Sequence, residues 1–466
     1  MEEKNDLILQ ANERPKKRGI WALLSFQHVF AMFGATILVP LLTGLPVSVA
    51  LFTSGIGTLI YILCTKAKVP VYLGSSFAYI AAIIAAANVV KDGSGNIISV
   101  GSYAPALTGL FAVGIVYVIV ALIIRFVGKE WLEKLLPPVV VGPMIAIIGL
   151  GLSSTAISMA GLQGGNWKEI ATAGFAFLVT IIVALKAKGF FKIIPFLAGI
   201  VAGYVFGVAV GLVNFQAPLA AAGGLSFLEV LQSPAQWFRI PPFMFLGFFE
   251  GNAQFLGTNI TFYQLNAAAL ISIVPLAFVT ICEHIGDHKV LGNITKHDYL
   301  QDPGLHRTLM GDGIATAVAA IFGGPANTTY GENTGVVAMT KVGSVYVTGL
   351  AAILAVILSF FNLFTSLIAT IPTAVMGGIC IILYGFIASN GLKVLSEAKV
   401  DLNNTRNLII VSSMLVIGLG GATLSFFNGA FAIYGMSLAA VVGVLLHQFL
   451  PRESGTSKVV IEKESK

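Results

Sequence analysis

Long apolar runs separated by short polar stretches set the pattern of this chain. A helix that crosses a bilayer needs about 20 mostly apolar residues. The runs predict fourteen such segments, at 20–42, 46–64, 73–89, 104–126, 137–158, 170–186, 191–212, 266–288, 307–323, 332–342, 344–361, 367–388, 407–426 and 430–450. Two are too short to cross as plain helices: the third, after Val69-Pro70, and the tenth, after Pro325. One connection is long, 213–265. Its Pro241-Pro242, several glycines and many apolar residues predict an interfacial hairpin or short amphipathic helices. The first 18 residues are charged and polar, with no cleavable apolar signal behind them. The charged end from Arg452 to Lys466 reads as disordered.

Composition narrows the class. Of 466 residues, 56% are apolar and 10% charged, with mean hydropathy +0.89. A soluble domain carries about 25% charge, so a soluble enzyme, a disordered chain and a secreted disulfide scaffold are excluded. The net charge of +6 forms no dense basic block, which argues against nucleic acid. Its placement is informative instead. With a cytoplasmic N-terminus and alternating segments, only Lys91, Lys168 and Arg239 of the 27 Lys and Arg fall outside. That asymmetry predicts a multi-pass protein of the inner (cytoplasmic) membrane with both termini in the cytoplasm. Cys64, Cys282 and Cys380 all lie in apolar runs and match no metal-ligand or disulfide spacing.

The long loop divides the chain into seven segments and seven, and an odd number per half gives the halves opposite orientations. Each half has its short segment in third place, behind proline and glycine: Val69-Pro70-Val71-Tyr72-Leu73-Gly74-Ser75-Ser76-Phe77 and Gly323-Gly324-Pro325-Ala326-Asn327-Thr328-Thr329-Tyr330-Gly331-Glu332. Paired interruptions at matching places in an inverted repeat point to a transporter's substrate site. Irregular backbone survives at membrane depth only where protein or a cavity surrounds it. The β-branched and aromatic residues here predict short antiparallel strands, each leading into a half-helix. Ordinary proline kinks are the plainer alternative, and two in register count against it.

Of 21 acidic residues, four fall within segments or at their breaks: Glu283, Asp287, Asp312 and Glu332. A carboxylate at bilayer centre costs roughly 2.5–3.5 kcal/mol, and no Lys or Arg lies mid-segment to pair with these. Taking a carboxyl out of water disfavours its charged form, a property a proton-coupled carrier uses. Glu283 and Asp287 are four apart, on one helix face. His28 lies mid-segment beside Gln27. His284 and His288 are also four apart, without an evident third metal ligand. Two carboxylates beside exposed helix N–H groups suit a small neutral heterocycle with alternating N–H and C=O groups, and Phe77 and Tyr330 offer faces for its ring. A membrane enzyme is disfavoured: the chain has no His-Glu-x-x-His, Gly-x-Ser-x-Gly or phosphate-loop motif.

Four stretches together resemble the nucleobase–ascorbate transporter family, or nucleobase:cation symporter 2, over roughly 18–450. They are Phe26-Gln27-His28-Val29-Phe30-Ala31-Met32-Phe33-Gly34-Ala35, Tyr72-Leu73-Gly74-Ser75-Ser76-Phe77-Ala78, Glu283-His284-Ile285-Gly286-Asp287, and Asn327-Thr328-Thr329-Tyr330-Gly331-Glu332-Asn333-Thr334-Gly335 continuing to Thr340-Lys341. Within the family the residue before the asparagine of the last stretch resembles a selector, glutamate in the uracil branch and glutamine in the xanthine and urate branch. Glu332 therefore implies import of uracil by proton symport, with xanthine or another nucleobase, or an anion carrier or channel of like architecture, as alternatives. No cofactor beyond the coupling proton is implied.

The resemblance further implies that Glu283 and Glu332 hydrogen-bond the base, that Phe77 and Gly331 offer backbone N–H groups, and that Ala35 packs on it. His28, Asp287, Asp312, Tyr330 and Asn333 would support the site or the proton coupling. It implies an all-α polytopic fold of fourteen segments as a 7+7 inverted repeat, with strands in segments 3 and 10. Between the cytoplasmic tails 1–18 and 451–466 it divides into a core domain (19–130 and 266–361) and a gate domain (131–212 and 362–450), with 213–265 as extracytoplasmic loop. Movement of core against gate and a homodimer through the gate would follow, with Pro372, Gly377 and Gly378 serving close packing or bending. Two departures stand out: Asp287 where some uracil carriers have histidine, and Ala326 where a proline is usual. The loop before segment 8 also looks longer than usual.

Overall fold

The computed structural model describes residues 7–92, 97–217, 219, 224–247, 254–255, 258–426 and 431–451. Among them, seven helices are long and apolar enough to cross a membrane. The first half runs α1 (Arg18–Thr43), α2 (Val47–Cys64), β1 (Leu73–Ser75), α3 (Ile80–Ala86), β2 (Val90–Lys91), β3 (Ile97–Ser99), α4 (Ala104–Val127), α5 (Glu130–Leu135), α6 (Pro138–Gly151), α7 (Ser153–Met159), α8 (Trp167–Lys186) and α9 (Pro195–Ala209). The connection holds α10 (Phe227–Gln232), β4 (Phe245–Gly247), β5 (Gln254–Phe255) and β6 (Thr258–Phe262). The second half runs α11 (Ala267–Ile273), α12 (Leu276–Thr295), α13 (Leu305–Ile321), β7 (Asn327–Thr329), α14 (Gly331–Thr340), α15 (Val345–Ser359), α16 (Asn362–Ala369), α17 (Thr373–Glu397), α18 (Thr405–Leu419), β8 (Thr423–Phe426), β9 (Phe431–Tyr434) and α19 (Gly435–Phe449).

The strands predicted in segments 3 and 10 are present and meet each other. β1 and β7 pair antiparallel, with Leu73 opposite Thr329, Gly74 opposite Thr328 and Ser75 opposite Asn327. All six residues are buried. Each strand leads into a short helical piece, Phe77–Tyr79 then α3 on one side and α14 on the other. The two halves thus carry the same interrupted element at the same place. Around the strands, α4 packs on α13, and α2 on α13 and α15. On the other side α17 packs on α6, α7 and α8, and α18 on α19 and α6.

Several boundaries differ from the sequence pattern, each for a local reason. The segment expected at 407–426 stops as a helix at Leu419, because Gly420-Gly421 follows and Gly421 adopts φ +67°. The apolar residues beyond form a hairpin, Thr423 opposite Tyr434 and Phe426 opposite Phe431, which also takes the start of the segment expected at 430–450. The segment expected at 367–388 begins at Thr373 and runs to Glu397, since Pro372 bars its predecessor from helical backbone; α16 is separate. Segment 8 divides around Val274-Pro275 and reaches Thr295. In the long connection, β4 pairs parallel and β5 antiparallel with β6, a small sheet rather than the expected hairpin or helices alone. The end from 452 lies outside the described residues. Gly377 and Gly378 serve close packing: a Cβ on Gly377 would meet the backbone of Met159 and Ala160, and one on Gly378 the Ala173 carbonyl.

The N-terminal stretch is strapped to the second half. Leu9 bridges Val342 in parallel, Gly343 N–H donates to the Leu9 carbonyl (2.9 Å) and Val345 N–H to that of Ala11 (2.9 Å). The Trp21 indole N–H donates to the Tyr346 carbonyl at 2.8 Å.

Candidate substrate site

The site is built on the strand crossing, and buried hydroxyls carry much of it. Leu73 N–H donates to Thr58 Oγ1 (2.9 Å), while Ser54 Oγ donates to the Leu73 carbonyl (2.7 Å), both from α2. Asn327 Nδ2 donates to the Thr53 carbonyl (3.1 Å), and Asn327 N–H to Thr316 Oγ1 (3.2 Å). Outside the ladder proper, Ser76 N–H donates to the Ala326 carbonyl (2.9 Å) and Tyr330 N–H to that of Tyr72 (3.1 Å). Few backbone groups here have a helical partner, so these side chains keep them satisfied away from water. Pro40 contributes at a distance: lacking an N–H, it leaves the Thr36 carbonyl without its helical donor, and Ser75 Oγ donates there at 3.4 Å.

Tyr330 locks the crossing. Its hydroxyl donates to the Ser75 carbonyl (3.0 Å) and accepts from Thr36 Oγ1 (3.2 Å). Its ring covers Gly74 so closely that a Cβ there would overlap ring carbons. α14 starts directly after Tyr330, whose extended backbone gives no side-chain cap. Gly331, Glu332 and Asn333 therefore head a helix whose first N–H groups lack intrahelical acceptors, and Gly331 is exposed there. Asn333 turns inward: its Nδ2 donates to the His28 carbonyl and to His28 Nδ1, both at 3.0 Å, which ties α14 to α1.

α12 supplies the facing carboxylates. Glu283 and Asp287 lie on one face, half-buried like Glu332, and Glu283 is near enough to Asp287, Glu332 and Asp312 to feel their charge. Thr329 Oγ1 donates to Asp287 Oδ2 at 2.7 Å, so Asp287 is joined to β7. No hydrogen bond to the Glu283 side chain occurs among the described residues. Phe77, at the first turn after β1, is half-buried and sets its ring edge-on to Tyr384 of α17, centroids 6.2 Å apart. Ala35, Tyr330 and Tyr384 are buried in one apolar cluster, and Phe77 packs against it.

The structure thus gathers Glu283, Asp287, Glu332, Gly331, Phe77, Tyr330, Ala35, His28 and Asn333 around the crossing. Asp312 is placed differently: it is buried on α13, with Oδ2 2.6 Å from His284 Nδ1. In the sequence, His284 belongs to the third quoted stretch and pairs with His288 four residues on, and neither feature assigns it a partner. Beyond it, His288 Nδ1 lies 2.7 Å from the His284 carbonyl and its Nε2 2.5 Å from the Tyr61 hydroxyl. The carbonyl fixes the tautomer: Nδ1–H donates, and Nε2 accepts from Tyr61. This face of α12 is thereby bolted to α2 and α13. Sequence reasoning missed Tyr384 and Thr329. Thr329 lies inside a quoted motif, but Tyr384 lies in an ordinary apolar run and carried no signal.

The chain is similar to known proteins over most of its length. The profile of a family described as a permease family matches residues 19–426. The uracil permease of Bacillus subtilis (strain 168) is 46% identical over 443 residues, 93% of either chain. That of Bacillus caldolyticus is 45% identical over 463 residues, 98% of either chain. Among solved structures, the transmembrane domain of the cyanobacterial bicarbonate transporter BicA superposes with a TM-score of 0.58. That match covers 94% of this chain and all of the other at 14% identity, a likeness of fold alone.

Proposed function

This chain belongs to the permease family matched over residues 19–426, and we propose that it imports uracil across the cytoplasmic membrane in symport with a proton. Its relatives named uracil permeases support the substrate. The observation that carries the reading is Glu332 in the first turn of α14, its carboxylate at a helix start without a side-chain cap and within electrostatic reach of Glu283. Uracil is flat and neutral, with ring N–H groups beside carbonyls. Carboxylates accept from the N–H groups in charge-assisted bonds. The Gly331 and Phe77 N–H groups donate to the carbonyls, and the helix ends orient them. The Phe77 and Tyr330 rings and Ala35 pack on the base.

Symport needs a group that takes up and releases a proton, and the half-buried carboxylates Glu283, Asp287 and Glu332 supply it as a coupled set. α1–α4 with α11–α15 form a core that holds the crossing, and α6–α9 with α17–α19 form a gate. Alternating access is movement of one against the other, across contacts such as Phe77 on Tyr384. A homodimer through the gate, and both termini in the cytoplasm, complete the proposal; the charge asymmetry of the loops supports the orientation. The shared fold with a bicarbonate transporter raises an anion as second reading, and the carboxylates at the site oppose it.

Glu332→Gln tests the selector. The carboxamide offers one acceptor in place of two and adds donors, so uracil affinity is expected to fall about 10-fold or more, as for loss of a hydrogen bond to a charged group. Uptake by the unaltered protein is expected to rise as external pH falls. Unchanged uracil affinity in the variant, or uptake indifferent to pH, contradicts the respective part of the proposal.

A further inference from the structure

Two breaks flank α16, and the turn between core and gate falls at one of them. The first is Phe360-Phe361, between α15 and α16; the second follows Ala369 and ends at Pro372. The long outer connection grips the first. Arg239 N–H donates to the Phe360 carbonyl (3.0 Å), Leu363 N–H to the Trp237 carbonyl (3.4 Å) and Asn362 Nδ2 to the Gln236 carbonyl (2.9 Å). Phe238 bridges Phe361 antiparallel, with their ring centroids 5.2 Å apart.

A few residues on, the same connection is anchored to the core. The Phe243 ring lies 4.9 Å from that of Phe52 on α2 and 5.4 Å from that of Phe322, just past α13. Phe245 lies 5.4 Å from Phe322 as well. The Met244 backbone runs against Gly323, where an added Cβ would meet it. α16 itself packs on α2, and its Phe364 ring lies 5.2 Å from Phe33 of α1. Beyond α16 the partners change to the gate helix α9. Tyr204 and Thr370 bond hydroxyl to hydroxyl at 2.6 Å, and a Cβ on Gly207 would touch Pro372 at 3.6 Å. Opening the elbow at Phe360-Phe361 in each cycle would break the three hydrogen bonds above, at about 0.5–1.5 kcal/mol each, and part the packed rings. Turning at the far end of α16 breaks none of them, and the end of an element is where a hinge absorbs its change in φ and ψ.

We propose that 236–247 is a tether that fastens α16 to the core, so that α16 travels with the core and the chain turns toward the gate at Ala369-Thr370. This placing of the hinge rests on the movement of core against gate proposed above. It takes residues 362–369 out of the gate, where the family resemblance places them.

Paired cysteines in the full-length chain test it by uracil uptake before oxidation, after oxidation and after reduction. The unaltered protein, with Cys64, Cys282 and Cys380, is the oxidation control. In the antiparallel bridge, Phe238 and Phe361 are the pair without mutual hydrogen bonds, with Cα atoms about 4.5 Å apart and within disulfide reach. Phe238→Cys/Phe361→Cys is expected to keep its uptake when cross-linked. Gly34→Cys/Phe196→Cys joins α1 of the core to α9 of the gate, where a Cβ on Gly34 would lie 3.5 Å from that of Phe196. It is expected to lose uptake on oxidation and recover it on reduction. Phe243→Ala/Phe245→Ala, which frees the tether from the core, is expected to lower the maximal uptake rate several-fold, with uracil affinity of the purified protein unchanged. Loss of uptake in cross-linked Phe238→Cys/Phe361→Cys overturns the tether alone, as does an unchanged rate or a weakened affinity in Phe243→Ala/Phe245→Ala. Retained uptake in cross-linked Gly34→Cys/Phe196→Cys overturns the movement of core against gate, and the tether with it. Should Phe243→Ala/Phe245→Ala fail to fold, the bridge at Phe238, 67% exposed, decides alone.

Discussion

Uracil uptake at low concentration is expected to fall to the level of the empty host when either Glu283 or Glu332 is replaced by alanine, with the protein inserted in normal amount. Each carboxylate is assigned hydrogen bonds to the ring, and bonds to charged groups contribute about 1.5–3 kcal/mol each. Losing one or two costs about 1.5–6 kcal/mol, roughly 10- to more than 10,000-fold in affinity at RT ≈ 0.59 kcal/mol. The structure adds a second readout. Glu283 makes no side-chain hydrogen bond among the described residues, and it lies within electrostatic reach of three other carboxyl groups, those of Asp287, Glu332 and Asp312. Removing it relieves repulsion without opening a bonded network, so thermal stability is expected to be unchanged or higher in Glu283→Ala. Lost uptake with retained stability is the signature of a ligand group. Full uptake at low uracil by either variant contradicts the assignment, and a collapse of stability assigns the residue to the fold instead.

Gly74→Ala is the second large effect, and it acts through the scaffold. A Cβ at this position would overlap the Tyr330 ring at Cε2 and Cζ. The ring has little room to yield: it is 3% exposed, its hydroxyl bonds Ser75 and Thr36, and its N–H bonds Tyr72. Overpacking of this kind costs about 1–3 kcal/mol, and here it falls on the joint that sets Gly331 and Glu332. Uptake at low uracil is expected to drop about 10-fold or more, which takes about 1.4 kcal/mol of that cost, with a lowered melting temperature. Gly174→Ala on α8, where a Cβ meets nothing within 4 Å, is the control and is expected to transport normally. Normal uptake and stability in Gly74→Ala would show that the crossing tolerates rearrangement.

How much of this was legible in the chain follows from the physics of each signal. The two strands were legible because proline and glycine interrupt apolar runs at matching places, and irregular backbone at membrane depth must be buried. The half-helix headed by Glu332 was legible for the same reason, as was the helical face shared by Glu283 and Asp287. Helix ends were less so. The run past Leu419 is apolar whether helix or hairpin, and only Gly420-Gly421 marks the change. Contacts between distant segments left no periodic trace. His284 on Asp312 joins positions 28 apart, and Phe77 on Tyr384 joins two halves of the molecule. The Ser75 bond to Thr36 depends on a proline four residues beyond the acceptor, a cause visible only once α1 and β1 are brought together.

Radiolabelled uracil uptake in a permease-deficient host expressing this chain, with excess unlabelled nucleobases and a protonophore as separate arms, tests the central claim most directly. The account predicts accumulation above the external concentration, blocked by excess uracil, spared by excess xanthine and abolished by the protonophore. Uptake blocked by xanthine and not by uracil, or accumulation that persists when the proton gradient is collapsed, would contradict it.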